Sequence, residues 1–377
     1  MTERDAYIIL NALPEIGPLR VAQLLQVFPD VTAILRAGRA ELTRIPGIGG
    51  KTADAVLSWP RGIDVEQEKA LAERAGVAII TRDDDNYPPL LREIHDPPLC
   101  LYVRGQVQVL RESAASLAMV GSRRTTSYGV SMAGNLAAAA ALAGWTVVSG
   151  LARGIDTVVH ETVVRLQRRT VAVIGSGLGR IYPQENIELA RSICRDGAVI
   201  SEFPMQYAPA KHAFPMRNRI IAGMTRGTVV VEAGTKSGSL ITAAQAADEN
   251  RLVFAVPGRA DSPQSRGCHC LIKEGARLVE SFQDVLEELN MLPGLYPAAG
   301  SAGSGGGGVA GPPLNEAEQL ILDALGPEER ELDELVRATG LAPAEVLRSI
   351  FQLELKNRVK QLPGKRVTAT GTAVLSR

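Results

Sequence analysis

At 377 residues, with 45% hydrophobic and 22% charged side chains, the chain predicts two or three domains and is neither a mini-protein, nor a fibre, nor disordered throughout. Its formal net charge of zero hides a segregation: residues 1–99 carry 11 basic against 15 acidic side chains, residues 100–280 carry 21 against 13, and residues 281–377 carry 9 against 13. A basic middle between acidic ends fits a polyanion-binding core with accessory modules, although ordinary domains also show such imbalances.

The N-terminal stretch MTERDAYIIL has two acids and no apolar leader, which predicts no signal peptide. Residues 5–58 read as short helices punctuated by two similar turns, around Pro14-Glu15-Ile16-Gly17 and Pro46-Gly47-Ile48-Gly49. The second, running into Lys51 and a helical pattern, resembles a helix-hairpin-helix that presents backbone amides to a phosphate; the acidic local balance favours instead a pair of packing hairpins in a small helical domain. From residue 77 the pattern becomes β/α alternation, with strands expected over 77–81, 99–104, 116–120, 146–149, 170–174, 198–201, 228–232 and 252–256. Helices are expected over 131–143, 156–167, 184–195 and 240–250. Runs such as TVAVIG and GTVVVEA suit parallel strands covered on both faces, so the core is expected to be an α/β, Rossmann-like, doubly wound and mostly parallel sheet. The most apolar stretch, 132–152, is interrupted by Gly134, Asn135, Gly144 and Ser149, which argues against a membrane span. Residues 291–313 are a Gly/Ser/Pro linker without a charge. Beyond them, helices over 316–325, 332–338 and 343–355 and a hairpin of 359–362 with 367–370 follow the order of a winged helix. Its expected recognition helix mixes Glu345, Arg348, Gln352 and Glu354, whereas the wing has Lys356, Arg358, Lys360, Lys365 and Arg366. That balance favours a partner-binding or auxiliary DNA role over sequence-specific readout. The expected organisation is therefore a helical hairpin (SAM/HhH-like) module over 1–75, the Rossmann-like domain over 76–290, the linker over 291–313 and a winged-helix module over 314–377.

Open α/β sheets bind ligands beyond the carboxyl ends of their strands. Four such ends are followed by Gly-rich turns with hydroxyls or cations: Gly121-Ser122-Arg123-Arg124, Gly150 to Arg153 and Gly154, Gly175 to Arg180, and Gly234-Thr235-Lys236-Ser237. One phosphate cradle serves a dinucleotide, but several in a row suit a ligand that repeats its phosphates. The dinucleotide fingerprint itself fails, because its third glycine falls on Arg180 and the acid that should follow is misplaced. A further basic run, Lys211 to Arg219, is expected to start a helix at Pro215 with Arg217, Asn218 and Arg219 in the first turn, where cations oppose the macrodipole. Either these arginines meet the ligand, or one pairs with Glu202 or Glu232 inside the scaffold.

Catalytic readings are poorer. Ser149, Asp156 and His160 lack a nucleophile elbow, and Cys268-His269-Cys270 lacks a second cluster for a metal. Glu202 and Glu232 end two strands and could form a carboxylate pair for glycoside-type hydrolysis. The alternative function is a nucleotide phosphoribohydrolase on a similar fold, with Glu232-Ala-Gly-Thr-Lys-Ser-Gly-Ser239 as the cradle of a ribose phosphate. Four scattered cysteines predict a reducing, cytoplasmic setting. With few aromatics for base stacking, phosphate contacts should dominate, although Tyr128, Tyr182 and Phe214 lie near the expected edge.

Several motifs stand in one order: Val120-Gly-Ser-Arg123, Ser149-Gly-Leu-Ala-Arg-Gly-Ile-Asp156, Tyr182-Pro-x-Glu-Asn186, Ser201-Glu-Phe-Pro204, Phe214-Pro-Met-Arg-Asn-Arg-Ile-Ile-Ala-Gly223, Ser237-Gly-Ser-Leu-Ile-Thr-Ala243 and Val256-Pro-Gly258. Over residues 80–285 the chain thereby resembles the DNA-processing protein A (DprA/Smf) family. The resemblance implies a non-enzymatic, cofactor-free and metal-free protein of natural transformation. Such a protein binds incoming single-stranded DNA, forms a homodimer and helps load the RecA recombinase, without a membrane partner. It implies phosphate contacts foremost at Arg123 and Lys211, then at Arg124, Arg217, Arg219 and Lys236. Gly121, Ser122, Arg153, Gly175, Arg180, Asn218 and Ser237 complete the expected interface.

Overall fold

The computed structural model describes residues 1–290, 315–325, 330–355, 359–362 and 366–369. The chain divides into two units, Met1–Leu292 and Pro293–Arg377. The expected linker, and Lys356, Arg358 and Lys365 of the expected wing, lie outside the described residues.

In the larger unit nine strands form one sheet: β1 Val77–Thr81, β2 Cys100–Gly105, β3 Ser116–Val120, β4 Thr146–Ser149, β5 Thr170–Val173, β6 Ala198–Ser201, β7 Gly227–Val230, β8 Leu252–Ala255 and β9 Arg277–Leu278. Their order is β1-β2-β6-β5-β4-β3-β7-β8-β9. Every neighbouring pair from β6 through to β9 is parallel, each crossover carrying a helix. Alternate residues feed opposite faces: Val171, Val173, Ala198 and Ile200 join a core with Ile220 and Ile221, while Ala172, Ile174 and Val199 pack with Ala190 and Ile193. The β-branched runs are buried on both sides, as helix-covered parallel strands require. The winding reverses at β3, with β4, β5 and β6 added on one side and β7, β8 and β9 on the other, so the carboxyl ends of β3 and β7 flank the crevice.

The structure differs from the sequence-based expectation at the sheet's edges. β2 pairs antiparallel with both β1 and β6, and the β1–β2 connection carries a four-residue helix, Pro89–Arg92. β9 is two exposed residues, too short to leave a period-two pattern. The helix expected from residue 131 begins at Ser127, since Thr126 Oγ1 accepts the Gly129 amide at 3.1 Å and caps it.

Seven short helices precede β1, from Glu3–Ala12 to Val65–Arg74. Their core of Ile8, Ile9, Leu24, Ile34 and Leu42 continues onto Leu99 and Cys100. Tyr7 Oη donates to Asp83 at 2.6 Å, and Arg4 pairs with Asp84 at 2.6 Å. In the smaller unit, helices Glu316–Leu325, Leu332–Thr339 and Pro343–Leu355 enclose Ile321, Leu335, Val346 and Ile350. They accompany a three-stranded sheet ordered Arg330–Glu331, Arg366–Ala369, Val359–Leu362. Its first strand has two residues and carries no pattern of its own.

His160 lies buried in the helix Ile155–Arg165. Thr170 Oγ1 donates to the Val147 carbonyl at 2.8 Å, which leaves His160 Nδ1 as donor to that oxygen, also at 2.8 Å. Burial pulls the imidazole pKa from 6.5 down to about 3. The folded ring is neutral and the unfolded ring protonates below about pH 6.5, so unfolding takes up a proton in that window. Stability should therefore fall as pH drops from about 6.5 toward 3, by up to about 1.4 kcal/mol per unit. Urea unfolding at about pH 7, 6 and 5 measures this. His160→Gln should flatten the profile, and an unchanged slope in that variant would contradict the assignment.

Candidate nucleic-acid interface

The rim of the crevice is built by the turns that end β3, β4, β5 and β7. After β3, the Ser122 amide donates to the Glu232 carbonyl at 2.7 Å, and Ser122 Oγ donates to the Arg124 carbonyl at 2.8 Å. These bonds turn the chain so that Arg123 and Arg124 are exposed. Glu232, buried at the end of the β7 run, accepts the Thr126 amide at 2.9 Å and the Thr126 hydroxyl at 2.6 Å. Its charge thus sits at the start of the helix Ser127–Leu142, where the macrodipole favours it.

After β4, Asp156 accepts the amides of Gly150 at 3.1 Å and Ala152 at 3.3 Å. Its burial raises the carboxyl pKa, and the nearby Arg217 opposes that rise. The turn closes at Gly154, with φ +78°, where a Cβ would run into the Ser122 carbonyl and lie 2.9 Å from Arg123 Cα. Only glycine permits this approach of the β3 and β4 turns. After β5, the Gly177 amide donates to the Tyr207 carbonyl and the Gly179 amide to the Met205 carbonyl, each at 2.9 Å.

A cleft of about 680 Å³ opens between the β3 and β7 turns, lined in part by Gly121, Ser122, Arg123, Arg124, Lys236 and Ser237. A hollow beside it is lined by Arg123, Arg153 and Gly175. Ten of the expected residues are thereby brought around two adjoining cavities, with Arg217 lining both and Asn218 lining the cleft. The Arg123 guanidinium lies 5.5 Å from the centre of the Phe214 ring, and the Tyr182 ring is tilted at 50° to that of Phe214 with centroids 5.9 Å apart. Arg180 is exposed and donates to Gln206 Oε1 at 3.1 Å. Lys211 is exposed just ahead of the helix Ala213–Gly223, lining neither cavity. Arg153 is exposed but ion-paired with Glu185. Among the described residues, Arg123, Arg124, Lys211 and Lys236 have no carboxylate partner.

Three residues expected at the interface are buried. The helix starts at Ala213, not Pro215, so Arg217 and Arg219 lie beyond its first turn. Arg219 is only 7% exposed and pairs with Asp96 and Glu202, both at 2.9 Å, which is the scaffold role the sequence left open for one arginine. Arg217 is 4% exposed and donates to the Gly150 and Val173 carbonyls, with Nε on Asn218 Oδ1 at 3.1 Å. Burial draws its pKa down to about 10 against the favourable pull of Asp156, leaving it charged at neutral pH. Asn218 is itself buried, its amide 3.4 Å from the Gly238 carbonyl. Arg219 is thus held in the scaffold, while Arg217 and Asn218 brace the turns and present only a small surface to the cavities they line. The helix cap by Glu232 carries no local sequence signal, since its partner Thr126 follows another strand, whereas Asp156 holds amides only four and six residues away in its own turn. Among the described residues no group of three or more His, Cys, Asp or Glu side chains is placed to hold a metal, and no helix is long and apolar enough to cross a membrane.

The fold and the cleft define a Rossmann-like protein with an anion-suited crevice at its switch point, preceded by helical hairpins and followed by a winged helix. Residues 78–290 match the family model for DNA recombination-mediator protein A, residues 309–365 the DprA winged helix domain, and residues 7–58 a SAM-like helix-hairpin-helix tandem. The chain belongs to the DNA-processing protein A (DprA/Smf) family. It is 32% identical to Protein Smf of Synechocystis sp., over 97% of this chain and 98% of that one. The X-ray structure of DNA processing protein A from Streptococcus pneumoniae superposes with a TM-score of 0.66 and 34% identity, covering 76% of this chain and 98% of that one. A DNA processing protein A from Helicobacter pylori, whose structure is described as giving insight into its single-stranded DNA binding mode, matches with a TM-score of 0.52 and 28% identity over 57% of this chain and 96% of that one.

Proposed function

We propose that this chain binds single-stranded DNA along the rim formed by Arg123, Arg124, Lys211 and Lys236 and serves natural transformation and recombination. The observation that carries the reading is the exposure of these four cations, without carboxylate partners among the described residues, beside open backbone at the sheet's switch point. Cations so arranged replace the counterions of a sugar-phosphate chain. Arg153, Arg180, Gly121, Ser122, Gly175 and Ser237 flank them as secondary contacts. In this reading the protein is a cytoplasmic homodimer that passes its strand to RecA and catalyses no reaction. The modules span 1–75, 76–290 and 314–377, and the core carries the binding.

A hydrolase reading needs a free carboxylate in the cleft, and both Glu232 of the expected ribose-phosphate cradle and Glu202, its expected pair for glycoside-type hydrolysis, are committed elsewhere. Glu232 caps a helix, and Glu202 is held by Arg219. The experiment is a fluorescence titration of labelled oligo-dT at two salt concentrations. Four phosphate contacts on a single strand give a log–log slope of about −3, so a four-fold rise in salt lowers affinity about fifty-fold. A flat salt dependence would defeat the reading, as would release of free base from nucleoside monophosphates.

A further inference from the structure

Lys211 sits in the segment 202–212, which joins β6 to the helix Ala213–Gly223 and contains no strand or helix. Its conformation is therefore set by what grips its backbone. The segment folds on itself through the Tyr207 amide on the Pro204 carbonyl at 2.9 Å and through stacked Phe203 and Tyr207 rings, 4.5 Å apart. The turn after β5 holds it on one side, at Met205 and Tyr207. The helical module holds it on the other. Glu68 Oε1, from the helix Val65–Arg74, accepts the Met205 amide at 2.6 Å, and Asn11 Nδ2, from the helix Glu3–Ala12, donates to the Glu202 carbonyl at 2.7 Å. Met205 is 1% exposed, so without Glu68 its amide is left buried with no acceptor. Between the last of these anchors at Tyr207 and the helix at Ala213 lies a short, mostly exposed bridge, and Lys211 is on it.

We infer that Glu68, with Asn11, is a positioning residue for the DNA interface: the helical module holds the loop that presents Lys211, and so sets affinity without touching the strand. The inference rests on the DNA-binding reading above. Glu68 lies between the stretches matched by the helix-hairpin-helix and core family models, 7–58 and 78–290. Charge alone predicts the opposite effect, because removing an acid near a polyanion site should tighten binding. Positioning predicts that affinity falls when the hydrogen-bond acceptor is lost and not when only the charge is lost.

The test uses the full chain and labelled oligo-dT at fixed salt, with Glu68→Ala, Glu68→Gln, Asn11→Ala, Lys211→Ala and the double variant E68A/K211A. Glu68→Ala should bind about five-fold more weakly, and Glu68→Gln, which keeps an acceptor for the Met205 amide, should stay within about two-fold of the parent. Asn11→Ala should shift affinity in the same direction as Glu68→Ala. In the K211A background Glu68→Ala should cause no further loss, because both substitutions act through one side chain. The inference is overturned by unchanged or tighter binding in Glu68→Ala, by equal losses in Glu68→Ala and Glu68→Gln, or by the same loss with and without Lys211. A Lys211→Ala variant that binds as the parent does removes Lys211 from the interface, and that failure of the DNA reading is visible in the single variant alone.

Discussion

Replacing Arg123 and Lys211 together by alanine is expected to lower affinity for single-stranded DNA by about a hundred-fold or more at low salt. The estimate takes each lost charged hydrogen bond to phosphate as about 1.5–3 kcal/mol. The salt slope should shrink by about 1.4, the contribution of two counterions on a single strand. Both side chains are exposed, so the urea midpoint should stay close to that of the parent. Arg123→Lys separates charge from shape. It keeps the cation but loses the planar group stacked on Phe214, so it should fall between parent and alanine. Titration at several salt concentrations measures these effects, and an unchanged slope in the double variant would remove both residues from the interface.

Arg219→Ala should do the reverse, costing fold and sparing binding. It leaves Glu202 buried without its ion-pair partner, and breaking a buried pair from one side costs about 3–5 kcal/mol. Burial already raises the Glu202 pKa against the pull of Arg219, so the variant should shed part of this penalty by protonating the carboxyl. Urea unfolding should show the loss, and Arg219→Met combined with Glu202→Gln should recover part of it. The folded fraction of Arg219→Ala should keep the parental salt slope for oligo-dT. A smaller slope would mean that Arg219 reaches the strand despite its burial, and the two arginine classes drawn from the structure would merge.

The contrast between Arg123 and Arg219 marks how far the residues could be read unaided. Both stand in basic runs after apolar segments, and both were expected at the interface. A side chain's exposure depends on what packs over it, and for Arg219 that is Asp96 from the β1–β2 side of the sheet and Glu202 from the end of β6. The turn residues were more legible. Gly121, Ser122 and Arg123 follow a β-branched or apolar run directly, so their place at the carboxyl end of a strand is local information. Helix starts were less so, because periodicity alone does not locate the Thr126 cap, and the helix after His212 begins with no side-chain cap. Glu68 and Asn11 carried no signal, as the backbone groups they hold are far away along the chain.

The sequence by itself determined all but the two-residue strands, the main helices between them, the parallel core and the Gly-rich turns, because hydrophobic period and glycine placement act within a few residues of each other. Tertiary structure decided the strand order that sets the β3 and β7 turns side by side, the antiparallel edge, and which arginines face solvent. Those features depend on charges and hydrogen-bonding groups meeting across the sheet. Their energy lies in desolvation and pairing between distant segments, which no local pattern encodes.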